Sequence, residues 1–271
     1  MNILEEIKDA KKYNLHSHTE FCDGRAQMIA FAAKAVKSNF DVYGFSPHSP
    51  VPIISSCNML KDNAERYLNQ VKEIQHQYSS AKTRFFAGME IDFLGKDWGP
   101  SHPYFDTLNL DYRIGSVHFI PDFTGELIDV DGHYDRFMQK MHDNFRNDIR
   151  YVVETFYAHS IEMVNAGGFD IIGHFDKIGD NSSHFKPGIE DEPWYQSLVN
   201  ELIDVIIAKK PIVEINTKVY AQRGRLFPSE RYWDKLIQGG VNIIVSSDAH
   251  VPALIDASLD DVKGLLAKHY Q

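Results

Sequence analysis

Residues 241–250 read Val-Asn-Ile-Ile-Val-Ser-Ser-Asp-Ala-His. The first five form a short apolar run, the pattern of a buried strand. The run ends in a carboxylate and an imidazole, Asp248 and His250, two residues apart. Residues i and i+2 of a strand share a side, so this pair can reach one ion together. The arrangement repeats near the other end of the chain. Tyr13-Asn14-Leu15 is a candidate strand, and His16-Ser17-His18 follows it, with Ser17 facing away from the histidines.

Five further apolar runs lie between these two. Val42–Phe45 is followed by Pro47-His48, Arg84–Met89 by Glu90, Tyr112–Val117 by His118, and Phe169–Ile172 by Gly173-His174. Pro211–Ile215 is the sixth strand in chain order, with Arg223 and Arg225 beyond it. Helical patterns separate the strands: Gln27–Ser38, Asn58–Tyr78, Tyr134–Ala166 (stopped by Gly167-Gly168), Trp194–Lys209, Arg231–Gln238 and Ser258–Lys268, with Ser258 as N-cap. Strand–helix alternation is the signature of a parallel sheet with crossover helices. Seven such units predict an α/β closed barrel in one domain, residues 1–271. The segments Asp92–Asp111 and Gly179–Pro193 read as loops long enough to cover a site.

In a parallel barrel the C-terminal strand ends converge on one face. Six strand ends therefore deliver imidazoles or carboxylates to one place. A lone His-X-His is a weak signal; the joint placement at strand ends is a strong one. His76, His102, His133, His142, His159 and His269 lack that placement and read as ordinary helix or loop histidines, and His184 as a loop residue. A mixture of imidazole and carboxylate suits zinc, iron, manganese or cobalt and does not suit calcium.

Composition narrows the function classes. Of 271 residues, 43% are hydrophobic, enough for a sizeable core, and the net charge of -10 disfavours a broad nucleic-acid-binding face. Two cysteines, Cys22 and Cys57, give no disulfide framework. The first twelve residues lack an apolar segment of the signal-peptide kind, and no run reaches transmembrane length, so the expectation is a cytoplasmic chain without a membrane partner.

The ordered set HSH (16–18), CDG (22–24), PHS (47–49), GMEIDF (88–93), SVHF (116–119), GHFD (173–176) and SSDAH (246–250) resembles the polymerase-and-histidinol-phosphatase (PHP) family, over about Tyr13 to His250. The resemblance implies a distorted (β/α)7 TIM-like barrel with a trinuclear metal centre. It implies that His16, His18, Glu90 and Asp248 hold a first ion. Glu90 then bridges to a second ion completed by His118 and His174, and Asp23, His48 and His250 hold a third. GMEIDF, SVHFI (116–120) and EIN (214–216) followed by Arg223, Arg225 and Phe227-Pro228-Ser229 are similar to the histidinol-phosphate phosphatase branch, with Phe227 where Tyr is usual.

The reaction implied is hydrolysis of L-histidinol phosphate to L-histidinol and phosphate, in histidine biosynthesis. Two or three divalent ions, zinc, iron or manganese, would serve as cofactors. Arg223 or Arg225 would fork onto the phosphate, and Asp23, Asp176 or His250 would protonate the leaving alkoxide. Asp92, Trp98, Tyr104 and Glu126 are candidates for the histidinol end. Two rivals are a PHP phosphoesterase acting on a nucleotide or nucleic acid and a non-catalytic metal-binding scaffold; a third is a related metallohydrolase cleaving C–N or C–O bonds. The expected partner is a small phosphate monoester, not nucleic acid, and the expected assembly a monomer or homodimer.

Overall fold

The structure is a computed structural model, and residues 2–270 are described. Seven parallel strands form the sheet: β1 (Tyr13–Asn14), β2 (Val42–Phe45), β3 (Arg84–Asp92), β4 (Tyr112–Ser116), then, after a hairpin of β5 (Phe119–Pro121) and β6 (Leu127–Asp129), β7 (Ile171–Ile172), β8 (Ile212–Asn216) and β9 (Ile243–Ser246). Their order is β1-β2-β3-β4-β7-β8-β9. The edges β9 and β1 meet through the parallel bridge Ser17–Ala249, with His18 N–H donating to Ala249 O at 2.9 Å. The sheet is thus a nearly closed, distorted (β/α)7 TIM-like barrel, as the strand count predicts.

Period-2 alternation sorts each strand into two faces. On β3, Phe85, Ala87, Met89 and Ile91 pack outward in one helix-facing core, while Phe86 joins a different cluster with Leu15, Val42, Tyr112, Ile114, Ile171, Ile212 and Ile244. That second cluster fills the barrel, and Ile3 and Ile7 of the N-terminal helix Ile3–Ile7 belong to it. Its largest member, Tyr112, fits because β2 and β3 present glycine to it. A Cβ on Gly44 would lie 2.8 Å from Tyr112 Cζ, and one on Gly88 2.5 Å from Cε2. The Tyr112 hydroxyl donates to Leu15 O at 2.5 Å. Above this apolar floor the inward positions turn polar: Asn14, His16, Glu90, Asp92, Ser116, Glu214, Asn216 and Ser246 are all buried.

Several elements differ from the sequence expectation. The helix expected over Tyr134–Ala166 is two helices, Tyr134–Asp143 and Ile149–Ala166. Arg146 and Asn147 take positive φ between them, and Asp148 caps the second helix through Tyr151 N–H at 3.0 Å. Capping by an aspartate mid-pattern overrides a continuous apolar stripe. Gly179–Pro193 is largely helical, with an α-helix at Ile178–Phe185 and a 3-10 turn at Ile189–Asp191. A short helix, Pro103–Asp106, interrupts Asp92–Asp111. The pattern from Asn58 opens with a 3-10 turn, and its helix spans Ala64–Gln77. Ser258 precedes the last helix at φ 57° and makes no side-chain cap. The hairpin β5–β6 has no counterpart in the sequence reading. Among the described residues no helix is long and apolar enough to cross a membrane.

Candidate metal centre

All nine expected ligands meet at the C-terminal end of the barrel. β1 runs into His16 and His18, β2 into His48, β3 carries Glu90, β4 leads to His118, β7 to His174, and β9 to Asp248 and His250. Asp23 comes from the turn after β1. Four overlapping groups have donor atoms within 4.8 Å of one another: His18/Asp23/His48/His250, His16/His174/Asp248, His16/His18/Glu90, and His48/Glu90/His118. His18 Nε2 lies 3.0 Å from Asp248 Oδ1, and His174 Nε2 lies 2.9 Å from Glu90 Oε1. Asp23, His48 and His250 share a group, which His18 joins.

The donor atoms themselves show what the centre fits. His16 Nε2, His18 Nε2, Asp23 Oδ1, His48 Nδ1, Glu90 Oε2 and His118 Nε2 are buried and lack a hydrogen-bond partner. Burying one such polar atom unpaired costs about 1–3 kcal/mol, so six of them, spread over three overlapping groups of ligand side chains, call for shared partners. Divalent cations would supply them, and the N/O donor set fits zinc-like ions. Burial works against the charge on Glu90 and Asp248. The imidazoles of His16, His48 and His118 around Glu90, and the Lys218 ammonium beside Asp248, outweigh it and hold both carboxyls well below the usual range.

Further groups hold the ligands in place. His16 Nδ1 is 2.7 Å from Glu214 Oε1. His118 Nδ1 is 2.6 Å from Asp92 Oδ1, whose other oxygen accepts from Asn58 Nδ2 at 2.6 Å. Ser116 Oγ donates to Glu90 Oε1 at 2.7 Å. Two ammonium groups stand beside the ligands. Lys218 Nζ lies 3.2 Å from Asp248 Oδ2 and 3.3 Å from His250 Nε2. Lys177 Nζ lies 2.7 Å from Asp131 Oδ2 and 4.0 Å from Asp248 Oδ2. Burial opposes the Lys177 charge, but Asp131 and Asp248 outweigh it and the amine stays protonated.

The centre opens into a cavity of about 390 Å³ lined by Asp23, His48, Asp92, His118, His250 and Lys218, together with Arg25, Asn58, Phe119, Asp129, Asp131 and Arg136. That volume suits a small molecule. The hairpin supplies Phe119 and Asp129, and the turn after it Asp131. A wider cavity of about 820 Å³ lies next to it, without any of the nine ligands. Arg223 and Arg225 line this second cavity. Arg225 forks onto Glu190, 2.8 Å for each bond, and Arg223 pairs with Asp180. The structure therefore places both arginines away from the centre, held by carboxylates.

Asp176 is also turned aside. It is buried and accepts Ser229 N–H at 2.8 Å beneath the loop after β8, and burial raises its carboxyl to about 7. Of the residues expected at the histidinol end, Asp92 lines the smaller cavity. Trp98 and Tyr104 stack on each other, with Trp98 Nε1 donating to Pro50 O at 3.2 Å. Glu126 is exposed on the hairpin. His184 lines the wider cavity. Sequence reasoning missed Lys177, Lys218, Asp129 and Asp131. Lys177 carries a readable signal, three residues after His174 at the same strand end; the others depend on how the loops pack.

The comparisons agree with this architecture. The structure of a candidate histidinol phosphatase, HisK, from Listeria monocytogenes superposes with a TM-score of 0.79 at 17% identity, covering 92% of this chain and 99% of that one. The histidinol phosphate phosphatase HisK of Lactococcus lactis, solved with zinc, L-histidinol and phosphate, gives 0.72 at 19% identity, covering 96% of this chain and 94% of that one. In sequence, a candidate histidinol-phosphatase of Schizosaccharomyces pombe is 22% identical over 93% of this chain and 85% of its own length. The PHP domain family matches residues 14–218. With that match spanning most of the barrel and every expected ligand gathered at its mouth, the chain belongs to the PHP domain family.

Proposed function

We propose that the chain is a metal-dependent phosphatase that hydrolyses L-histidinol phosphate to L-histidinol and phosphate. One observation carries this reading: six partnerless buried donor atoms converge where a cavity of small-molecule size opens. The substrate follows from the relatives, whose names and bound molecules are those of histidinol phosphatases.

His16, His18, Glu90 and Asp248 would hold one ion, Glu90, His118 and His174 a second, and Asp23, His48 and His250 a third. When bound there, divalent ions would lower the pKa of water and offset negative charge on the phosphoryl group. The protein's own groups do the rest. Lys218, which lines the cavity beside Asp248 and His250, would face the phosphate from the β8 end, in the role expected of Arg223 and Arg225, with Lys177 behind it held by Asp131. The leaving alkoxide needs a proton, and Asp23 and His250, the groups expected to supply it, are also those that would hold the third ion, with His250 Nε2 and Asp23 Oδ2 3.3 Å apart. Asp176, bonded to Ser229 outside the cavity, has no part in this step. Phe119, Asp129 and Asp131 present an aromatic face and carboxylates to the imidazole and ammonium of histidinol.

Metal analysis of the purified protein is the direct test of the centre. Two or three equivalents of zinc, iron or manganese per chain are expected, lost in His18→Ala with unchanged far-UV circular dichroism. Less than one equivalent after reconstitution would favour a scaffold with a vestigial site.

A further inference from the structure

Strand β8 contributes no metal ligand, yet its inward residues are as buried and polar as those of the strands that do. Glu214 and Asn216, two apart on β8, both point into the barrel, and they are 0% and 1% exposed. The outward residues between and beside them, Val213 and Ile215, belong to apolar cores. A fully buried carboxylate on a strand without a ligand role needs a reason, since an unpaired buried charge is strongly destabilising.

The contacts of Glu214 supply one. Its Oε1 meets His16 Nδ1 at 2.7 Å. Its Oε2 accepts the backbone N–H of His174 at 3.3 Å and the side-chain amide of Asn216 at 3.3 Å. The same Asn216 amide also donates to Asp248 Oδ2 at 3.1 Å. One carboxylate therefore ties together groups from three strand ends, β1, β7 and β9, by way of β8. Asp92 makes a similar bond to His118, but it is among the residues that line the cavity. Glu214 is not among the residues lining that cavity.

We infer that Glu214, with Asn216, is the positioning element of the metal centre, setting the tautomer of His16 and the orientation of Asp248. A carboxylate oxygen has no proton to give, so Nδ1 of His16 carries the hydrogen and Nε2 is left as the donor to an ion. The bond also makes that nitrogen a better donor, as carboxylate–histidine–metal arrangements do. Asn216 divides its amide between Glu214 and Asp248, so Asp248 is steered by the same anchor. Because Glu214 lies outside both the cavity lining and the groups of candidate ligands, its effect is on how tightly metal is held.

This inference rests on the metal-centre reading, and the experiment separates the two. Zinc affinity is measured by chelator competition on metal-free wild type, Glu214→Gln and Asn216→Ala, together with the rise in melting temperature on saturation with zinc. Removing such a partner costs about 10- to 100-fold in metal affinity. We expect that loss in Glu214→Gln, a smaller one in Asn216→Ala, and a reduced zinc-induced melting shift in both. Saturating zinc should restore much of the phosphatase turnover in each. If wild type binds no zinc, the metal-centre reading itself fails. If wild type binds zinc and both variants bind it equally well, the positioning role is overturned. An equal drop in melting temperature with and without zinc, at unchanged affinity, would make Glu214 a purely structural residue.

Discussion

The barrel floor beneath the metal centre is where a single methyl group has a predictable effect. A Cβ added at Gly88 would lie 2.5 Å from Tyr112 Cε2 and closer still to Cζ. Carbon atoms pack best at about 3.5–4.0 Å, so ring and strand must part by more than about 1 Å. Neither is free to do so. The Tyr112 hydroxyl is held on Leu15 O at 2.5 Å, and Gly88 O accepts from Tyr67 at 2.6 Å. Overpacking costs about 1–3 kcal/mol, and breaking one buried hydrogen bond adds about 1–3 kcal/mol. Gly88→Ala should therefore destabilise by about 3–5 kcal/mol in urea unfolding of the metal-free protein. In a Tyr112→Leu background, which removes the far end of the ring, the same Gly88→Ala change should cost less than about 1 kcal/mol. The coupling between the two sites should reach about 2–4 kcal/mol, at or just above the upper end of the roughly 0.5–3 kcal/mol usual for residues in contact. Equal costs of Gly88→Ala in both backgrounds would refute the argument. Since Leu15 precedes His16, the variant should also weaken zinc binding.

Three further outcomes follow from the site. His118 has its pKa pushed to about 9: burial lowers it, but Asp92 and Glu90 overcome burial. A raised folded pKa gives stability that is complete below the unfolded value near 6.5 and lost as pH rises through the folded one. Metal-free protein should lose on the order of 3 kcal/mol between pH 6.5 and pH 9.5, seen as a falling urea midpoint, and His118→Gln should flatten the profile. Lys218→Met, which removes the ammonium beside Asp248 and His250, should raise KM for the phosphate ester at least tenfold in steady-state assays; an unchanged KM would remove Lys218 from the phosphate site. Arg223→Ala should leave kcat and KM within about twofold, because its guanidinium is held by Asp180 in the neighbouring cavity and such exposed pairs contribute about 0–1 kcal/mol. A large rise in KM would bring that arginine back to the phosphate.

The strand ends were legible because two periodicities coincide there. Apolar alternation marks where a strand runs, and the residue that breaks it, Glu90 on β3 or Asp248 after β9, is the one that faces the barrel mouth. Asp23 sits in a turn rather than on a strand, yet its position in the CDG motif brought it to the same place. The pairing of the arginines after β8 was not legible, for an identifiable reason. A guanidinium near a phosphate site reads as a phosphate clamp only if no carboxylate reaches it first, and Glu190 and Asp180 come from a segment that reads as loop but folds largely as helix. The hairpin β5–β6, which brings Phe119 and Asp129 to the cavity, is too short for its alternation to register. The EIN motif was visible as a pattern. Its consequence was not, because whether Glu214 meets an ion or a histidine depends on a distance that no periodicity contains.

The central claim is tested most directly by phosphate release from L-histidinol phosphate, AMP, an aryl phosphate and single-stranded DNA, each before and after chelation and after zinc or manganese is restored. The account predicts a strong preference for L-histidinol phosphate, abolished by chelation and recovered with metal. Preference for AMP or DNA, or turnover of L-histidinol phosphate that survives removal of every metal ion, would contradict it.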